Sequence, residues 1–177
     1  MIRQKQGSCV NENADAVVNA ANRNLLAGGG ICGAIFAKAG YSELADACKK
    51  IKTPLADGDA AITPAFGIKN AKYIIHAVGP DFGVTPDAFK ALFNAYYNSL
   101  CVLKENGLHS IAFPLISAGI FGGALPDPAY ESTKQCCRAY SAFVADNPGY
   151  EIEVALCAYS SDENESSAAA FLKYAEI

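Results

Sequence analysis

The sequence predicts a three-layer α/β/α sandwich, in which helices cover both faces of a mixed, mostly parallel central sheet. Short apolar segments of strand length alternate with amphipathic segments of helix length along the chain. This order is typical of a parallel sheet whose strands are joined by crossover helices. The chain has 177 residues, the size of one α/β domain, so we expect residues 1–177 to form a single domain.

Five strands are predicted from short apolar runs, and five helices from apolar residues at helical spacing. Pro86 suits the first turn of the third helix and Gly107 its end, while Ser161 or Asp162 would cap the last helix. The predicted strands are residues 16–20, 59–63, 72–78, 110–114 and 152–159. The predicted helices are residues 30–40, 42–51, 86–106, 129–146 and 163–175.

The composition argues against a disordered chain and against a membrane protein. Apolar residues make up 51% of the chain and charged residues 18%, which is enough apolar material for a core. No apolar run approaches the roughly 20 residues of a membrane-spanning helix, and residues 1–7 lack the apolar stretch of a signal peptide. We therefore expect a cytoplasmic protein, or one processed from a larger chain, with no membrane partner.

The seven cysteines do not resemble a disulfide framework or a metal site. Their number is odd, their spacing is irregular and no secretion signal precedes them, so free thiols are expected. Only two histidines accompany them, and no CxxC pair is present, so we expect no metal and no cofactor. The cysteines are Cys9, Cys32, Cys48, Cys101, Cys136, Cys137 and Cys157.

The charge of the chain makes nucleic acid an unlikely partner. The formal net charge is −4, and the only basic cluster is Lys49-Lys50. Proteins that bind nucleic acid through its phosphates usually carry a basic face. RNA or poly(A) binding is therefore disfavoured, and a phosphate ligand would have to be bound by backbone amides.

The first candidate site follows the first strand and contains Gly28, Gly29 and Gly30. In open α/β sheets, ligands bind beyond the carboxyl ends of the strands. Three glycines at the start of a helix allow close backbone approach, and the free N–H groups there favour an anion. Asn19 and Asn22 can each donate to and accept from sugar hydroxyls. The alternative is a flexible turn in which the asparagines act only as caps.

The second candidate site follows the strand 110–114. Ser117, Gly119 and Gly122 allow a nest of backbone amides for a phosphate. Ile120 and Phe121 lie within this loop, where they either cover a sugar or fold back into the core. Two such loops in one chain indicate a ligand with a pyrophosphate between two sugars.

Two common phosphate-binding motifs do not explain these glycines. The P-loop sequence, which ends in Gly-Lys-Ser/Thr, is absent. The segment 28–33 has the G-x-G-x-x-G spacing of dinucleotide-binding folds, but it comes some nine residues after its strand. The chain is also short for a complete dehydrogenase, so this interpretation is disfavoured.

Together these motifs closely resemble the signature of the macrodomain family. The resemblance rests on Asn-Ala-Ala-Asn at 19–22, on Gly-Gly-Gly-Ile-Cys-Gly-Ala-Ile at 28–35, and on Ile-His-Ala-Val-Gly-Pro at 75–80. It also includes Pro-Leu-Ile-Ser-Ala-Gly-Ile-Phe-Gly at 114–122 and the middle strand around 60–63. The motifs occur in the order and at the spacing of the family and cover nearly the whole chain.

The resemblance implies a cleft for ADP-ribose, free or attached to a protein. Asn22 would hold the distal ribose, and Asn19 would support the loop. Tyr159 would pack on adenine, unless it is an ordinary half-buried strand tyrosine. Gly28, Gly29, Gly30 and Ile31 would wrap the distal ribose and a phosphate. The pyrophosphate would be cradled by Ser117, Ala118, Gly119, Ile120, Phe121 and Gly122, with Ile120 closing over it and Phe121 beside the distal ribose.

Two positions depart from the family pattern. Ser8 stands where the family usually has an Asp that accepts from the adenine amino group, so Ser8, the backbone N–H of Cys9, or Asp162 would have to serve. Cys32 stands where many hydrolytic members have Asp and others have Cys or Ala. A helix start lowers the pKa of a thiol in principle, but a small residue packing near the distal ribose is favoured over a nucleophile.

The family resemblance predicts an ADP-ribosyl hydrolase. The substrates would be mono-ADP-ribosyl esters of protein Asp or Glu, or O-acetyl-ADP-ribose, and no metal would be needed. Asn22 would orient the ribose, and a water near the α-phosphate would attack. The alternative is a binding module that recognises ADP-ribose without cleaving it. His76 is expected to be a buried structural histidine, and His109 a surface residue.

Overall fold

The computed structural model describes residues 1–175, so residues 176–177 of the predicted domain lie outside the described range. It confirms the predicted sandwich, with a six-stranded mixed sheet and five α-helices. The strands are β1 (Ile2–Gln6), β2 (Ala16–Ala21), β3 (Ala60–Pro64), β4 (Tyr73–Val78), β5 (Ser110–Pro114) and β6 (Glu153–Ala158). The helices are α1 (Gly30–Ala39), α2 (Tyr41–Lys49), α3 (Ala88–Glu105), α4 (Pro128–Asp146) and α5 (Ser161–Tyr174).

The strand order in the sheet is β1-β6-β5-β2-β4-β3. Every neighbouring pair is parallel except β3 and β4, which are antiparallel. The carboxyl ends of β1, β6, β5, β2 and β4 therefore lie along one edge of the sheet. The segments that follow these five strands, including both glycine-rich loops, are brought to that edge.

Each face of the sheet has its own apolar core, which explains why most residues of the central strands are apolar. Val17 of β2 packs in the core formed with α1 and α2, while its neighbour Val18 packs in the core formed with α3 and α4. The same alternation occurs on β4, where Ile74 and Ile75 point to opposite cores. All four side chains are fully buried.

One strand was missed by the sequence analysis. β1 is polar and lies at the edge of the sheet, where it pairs only with β6. Arg3 and Lys5 lie on one face of this strand, and both form ion pairs with Glu12. Edge strands commonly carry charged residues of this kind, so the apolar signal that revealed the central strands is absent here.

Several element ends differ from the predicted ones. The third helix begins at Ala88 rather than Pro86, because Asp87 has a left-handed backbone (φ 53°). The last helix begins at Ser161, and its cap is Ser160, whose hydroxyl accepts from the N–H of Glu163, rather than Ser161 or Asp162. The strand 152–159 ends at Ala158, so Tyr159 lies just beyond it.

The cysteines of this chain form no disulfide in the structure. All seven cysteines of the chain are free thiols, and six of them are buried. Across residues 1–175, no group of three or more histidine, cysteine or acidic side chains is arranged to hold a metal ion. Within the same range, no helix is both long enough and apolar enough to cross a bilayer.

Candidate functional site

The two glycine-rich segments follow neighbouring strands of the sheet. The first loop, residues 22–29, follows β2, and the second loop, residues 115–123, follows β5. β2 and β5 pair in parallel, so both loops rise from adjacent positions at the same edge. A crevice between neighbouring strand ends is where α/β sheets usually bind their ligands.

The first loop is braced by the side chain of Asn22. Its Nδ2 donates to the carbonyl of Leu26 over 2.8 Å, and its Oδ1 accepts from the N–H of Leu26 over 3.0 Å. Leu25 is buried in the core below, although its backbone is left-handed (φ 54°). Asn22 thus fixes the loop, and its amide still has one N–H and one lone-pair direction for a ligand.

The glycines at the start of α1 present exposed backbone. Gly28, Gly29 and Gly30 are all exposed, and α1 begins at Gly30. The first N–H groups of a helix have no partner within it, and the positive end of the helix dipole lies at the same place. Gly33 lets this loop pack closely, since a Cβ there would lie 2.6 Å from the carbonyl oxygen of Gly28.

The second loop is held by Ser117 and exposes its apolar residues. Ser117 has a left-handed backbone (φ 59°), and its hydroxyl donates to the carbonyl of Pro80 over 2.7 Å. Residues Ile120–Gly122 form a single 3₁₀ turn. Ile120 is 96% exposed and Phe121 is 39% exposed. Because both side chains are exposed, the alternative in which they fold back into the core is wrong.

A buried polar chain lies beneath the first loop. Nδ2 of Asn19 lies 3.1 Å from Nδ1 of His76, and Nε2 of His76 lies 2.9 Å from Oγ1 of Thr63. All three residues are buried. Burial lowers the pKa of His76 to about 4, so the ring is neutral at physiological pH and His76 is a buried histidine, as expected. Asn19 lies in the core and not on the surface of the cleft, which fits loop support better than direct sugar binding.

Cys32 is a packed thiol rather than an activated one. It is 6% exposed, and its Sγ lies 3.6 Å from the carbonyl oxygen of Leu26. Burial raises the pKa of Cys32, and this outweighs the hydrogen bonds from Gly28 and Asn19 that lower it. A position at the start of a helix would by itself lower the pKa of Cys32. Burial reverses the direction of this shift.

The far end of the same edge holds the residues expected near adenine. Tyr159 follows β6 and is 77% exposed, so the alternative of a half-buried strand tyrosine is wrong. Ser8 follows β1, the neighbour of β6, and its hydroxyl makes no capping bond to the turn that follows. Cys9 is buried, which raises the pKa of its thiol, so only its backbone could contact a ligand. Asp162 is exposed in the first turn of α5.

Three polar side chains in or beside the first loop were missed by the sequence analysis. They are Arg23, Asp57 and Thr85, from three separate segments, and both Arg23 and Thr85 bond to Asp57. In the sequence, Arg23 is 34 residues from Asp57, and Thr85 is 28 residues from it. No local motif marks them, so only the fold could bring them to notice.

An open cavity of about 770 Å³ lies at the opposite edge of the sheet, away from both loops. Its lining includes His109, Tyr140 and Tyr150, which lie near the starts of β5 and β6 or on α4. It includes none of the predicted site residues. The candidate site is instead at the carboxyl edge of the sheet, where the exposed glycines and apolar residues are found.

Comparison with known proteins gives matches over most of this chain. The Macro domain family model matches residues 18–130. O-acetyl-ADP-ribose deacetylase of Salmonella typhimurium is 41% identical over 143 residues, which cover 78% of this chain and 76% of that protein. The structure of the Oceanobacillus iheyensis macrodomain with ADP has a TM-score of 0.87 at 33% identity, and the match covers 98% of this chain and 90% of that one.

A more distant solved structure has the same architecture. The Trypanosoma brucei macrodomain in complex with ADP-ribose is 27% identical, with a TM-score of 0.82. The match covers 95% of this chain and 68% of that one.

Proposed function

Because this chain belongs to the macrodomain family, we propose that it binds ADP-ribose in the crevice between the first and second loops and hydrolyses esters of it. The proposed substrates are mono-ADP-ribosyl esters on Asp or Glu of proteins, and O-acetyl-ADP-ribose. The observation that carries the proposal is that two glycine-rich loops with exposed residues follow neighbouring parallel strands, at the same edge of the sheet. The relatives named above supply the ligand class.

The pyrophosphate would be bound by backbone amides. The chain is acidic overall, and the nearest basic side chain in the first loop, Arg23, is already paired with Asp57. Exposed amides at the start of α1 and in the second loop provide donors for the phosphate oxygens without a cation. Ile120, exposed above the second loop, would cover the phosphates and shield them from water.

The distal ribose would lie between Asn22 and Phe121. Asn22 keeps its two bonds to Leu26, and its remaining donor and acceptor directions are those that ribose hydroxyls need. The amide is already fixed before the ligand arrives, so little conformational entropy is lost on binding. Adenine would lie at the other end of the edge, against the exposed ring of Tyr159.

The reaction would depend on positioning more than on a strong acid or base. A water molecule held between the α-phosphate and the ribose attacks the ester carbonyl, and the phosphate accepts the proton of that water. The ester C–O bond then breaks and the phosphate returns this proton to the departing ribose oxygen, which leaves a carboxylic acid and a free ribose hydroxyl. Loop amides would stabilise the negative charge that develops on the way.

One observation favours a second candidate, a module that binds ADP-ribose without cleaving it. The first turn of α1 contains no acidic residue, and burial raises the pKa of Cys32, which stands there instead. The start of α1 therefore offers no ionised side chain that could act as a general base.

Binding and turnover measured together would separate the two candidates. The protein is titrated with ADP-ribose by calorimetry, and it is incubated in parallel with O-acetyl-ADP-ribose and with a mono-ADP-ribosylated acceptor protein. The hydrolase proposal predicts binding together with release of acetate or of labelled ADP-ribose. Binding without release over hours would support the non-catalytic module. Absence of binding would contradict both.

A further inference from the structure

Asp57 joins two segments that are distant in the sequence. Nε and Nη2 of Arg23 donate to its two carboxylate oxygens, each over 2.8 Å. Oγ1 of Thr85 donates to Oδ2 of Asp57 over 2.7 Å. We call Arg23, Asp57 and Thr85 the Asp57 bridge. Arg23 directly follows Asn22 in the first loop, so the bridge is attached next to the residue proposed to hold the distal ribose.

Backbone hydrogen bonds fix the bridge at both ends. The N–H of Leu55 donates to the carbonyl of Arg23 over 2.8 Å, and the N–H of Gly58 donates to the carbonyl of Val78 over 2.7 Å. The N–H of Asp81 donates to Oγ1 of Thr85 over 3.0 Å. The turn that carries Asp57 is thus held against the first loop, the end of β4 and the segment after it.

The same segment also contacts the second loop. The N–H of Phe82 donates to the carbonyl of Phe121 over 2.8 Å. A Cβ on Gly123 would lie 3.0 Å from the backbone nitrogen of Gly83, so the two backbones are closely packed. Hydrogen bonds thus join Arg23 to Asp57, Asp57 to Thr85, and Thr85 to the backbone of Asp81. The next residue, Phe82, bonds to Phe121, so the connection from the first loop to the second is continuous.

We propose that Asp57 is a positioning residue that sets the spacing of Asn22 and Phe121, and so selects for ligands that carry a distal ribose. The inference rests on the proposed function, in which these two residues flank that ribose. Asp57 itself is not expected to touch the ligand.

The chemistry of the bridge suits such a role. A bidentate Arg–carboxylate pair is planar and directional, so it fixes geometry as well as adding energy. The side chain of Asp57 is only 10% exposed, whereas that of Arg23 is 57% exposed. The hydrogen bond from Arg23 is the main cause that lowers the pKa of Asp57. The carboxylate therefore stays charged at neutral pH, and both of its oxygens accept hydrogen bonds.

ADP-ribose, which carries the distal ribose, and ADP, which lacks it, test the inference. Dissociation constants of ADP-ribose and of ADP are measured by calorimetry for the unaltered protein and for Asp57→Asn. The variant keeps an acceptor for Thr85 but loses the charge and the bidentate pairing. A misplacement of about 1 Å can slow a catalysed reaction by about a hundredfold, and we expect a smaller effect on binding, with ADP-ribose bound about tenfold more weakly. We expect the affinity for ADP to be unchanged.

Two further variants keep the test decisive. Thr85→Val removes one bond of the bridge and should shift the ADP-ribose to ADP ratio in the same direction, so it replaces Asp57→Asn if that variant does not fold. Asp46→Asn is the matched control, because Asp46 and Lys49 form an exposed ion pair of 3.8 Å on α2. This control should leave both affinities unchanged.

The possible failures can be told apart. An equal loss of affinity for ADP-ribose and ADP, or an unchanged ratio in both bridge variants, would overturn the inference while the proposed function stands. If the unaltered protein bound neither ligand, the proposed function itself would be overturned, and the inference with it.

Discussion

The side-chain amide of Asn19 donates to Nδ1 of His76 across 3.1 Å, between paired positions of β2 and β4. Because Nδ1 accepts, the proton of the neutral ring lies on Nε2, which bonds to Oγ1 of Thr63. The chain crosses three neighbouring strands inside the core. Oδ1 of Asn19 has no partner among the described residues. The base of the first loop is therefore held by a polar contact that depends on a neutral histidine.

The first prediction concerns the pH dependence of stability. The pKa of His76 is lowered from 6.5 to about 4 by burial, so between these values the unfolded chain binds a proton that the folded chain does not. The contribution of this group to stability is therefore full above about pH 6.5 and decreases as the pH falls. We expect the free energy of unfolding to decrease by about 2 kcal/mol between about pH 6.5 and about pH 5. Urea unfolding at the two values measures the loss.

The other histidine provides the control for this prediction. His76→Gln should remove most of the extra pH dependence, whereas His109→Gln should leave it in place, because His109 is exposed. The same slope in the unaltered protein and in His76→Gln would show that other groups cause the pH dependence.

The second prediction concerns the second loop. Ile120 is 96% exposed, so Ile120→Glu should change the free energy of unfolding by no more than about 0.5 kcal/mol. Its carboxylate would stand beside the bound pyrophosphate, and we expect the affinity for ADP-ribose to fall at least about a hundredfold. Leu172→Glu is the matched control, since Leu172 is 79% exposed on α5. Retained affinity in Ile120→Glu would mean that the phosphates bind elsewhere.

The third prediction concerns Asn22. Removing its amide breaks both bonds to Leu26, which should cost about 1 kcal/mol of stability, and it removes the proposed contact to the distal ribose. We expect Asn22→Ala to stay folded, with turnover of O-acetyl-ADP-ribose reduced by about a hundredfold or more. Asn24→Ala, at an exposed position of the same loop, should retain normal turnover. Equal activity of the two variants would remove Asn22 from the site.

The fourth prediction concerns Cys32. Its thiol is buried and its pKa is raised, so it is a poor nucleophile. Cys32→Ala should keep turnover within about tenfold of the unaltered protein, and treatment with iodoacetamide should leave activity unchanged. A loss of about a thousandfold in Cys32→Ala, with the fold retained, would indicate covalent catalysis instead.

Much of the fold could be predicted from the sequence because the central strands are buried on both faces. Most residues in the runs around Val17 and Ile74 are apolar, and such runs are recognisable without a partner. β1 gives no such signal, since it lies at the sheet edge and alternates charged residues such as Arg3 and Lys5 with others. Its existence depends on pairing with β6, which only the tertiary structure provides.

The candidate site could be predicted in part for a similar reason. Glycines 28–30 and the loop around Ile120 carry local motifs, and the fold brings both to one edge. Other properties of the site depend on the tertiary structure. Burial determines the direction of the pKa shift of Cys32, and the bonds of Asp57 to Arg23 and Thr85 join segments with no common motif.

A crystal structure of the complex with ADP-ribose is the decisive test of binding in the crevice between the two loops. We predict the pyrophosphate against the backbone amides of residues 28–31 and 117–122, the distal ribose between Asn22 and Phe121, and adenine against Tyr159. A ligand bound at the opposite edge, in the cavity beside His109 and Tyr150, or a crevice that stays empty at saturating ADP-ribose, would contradict it.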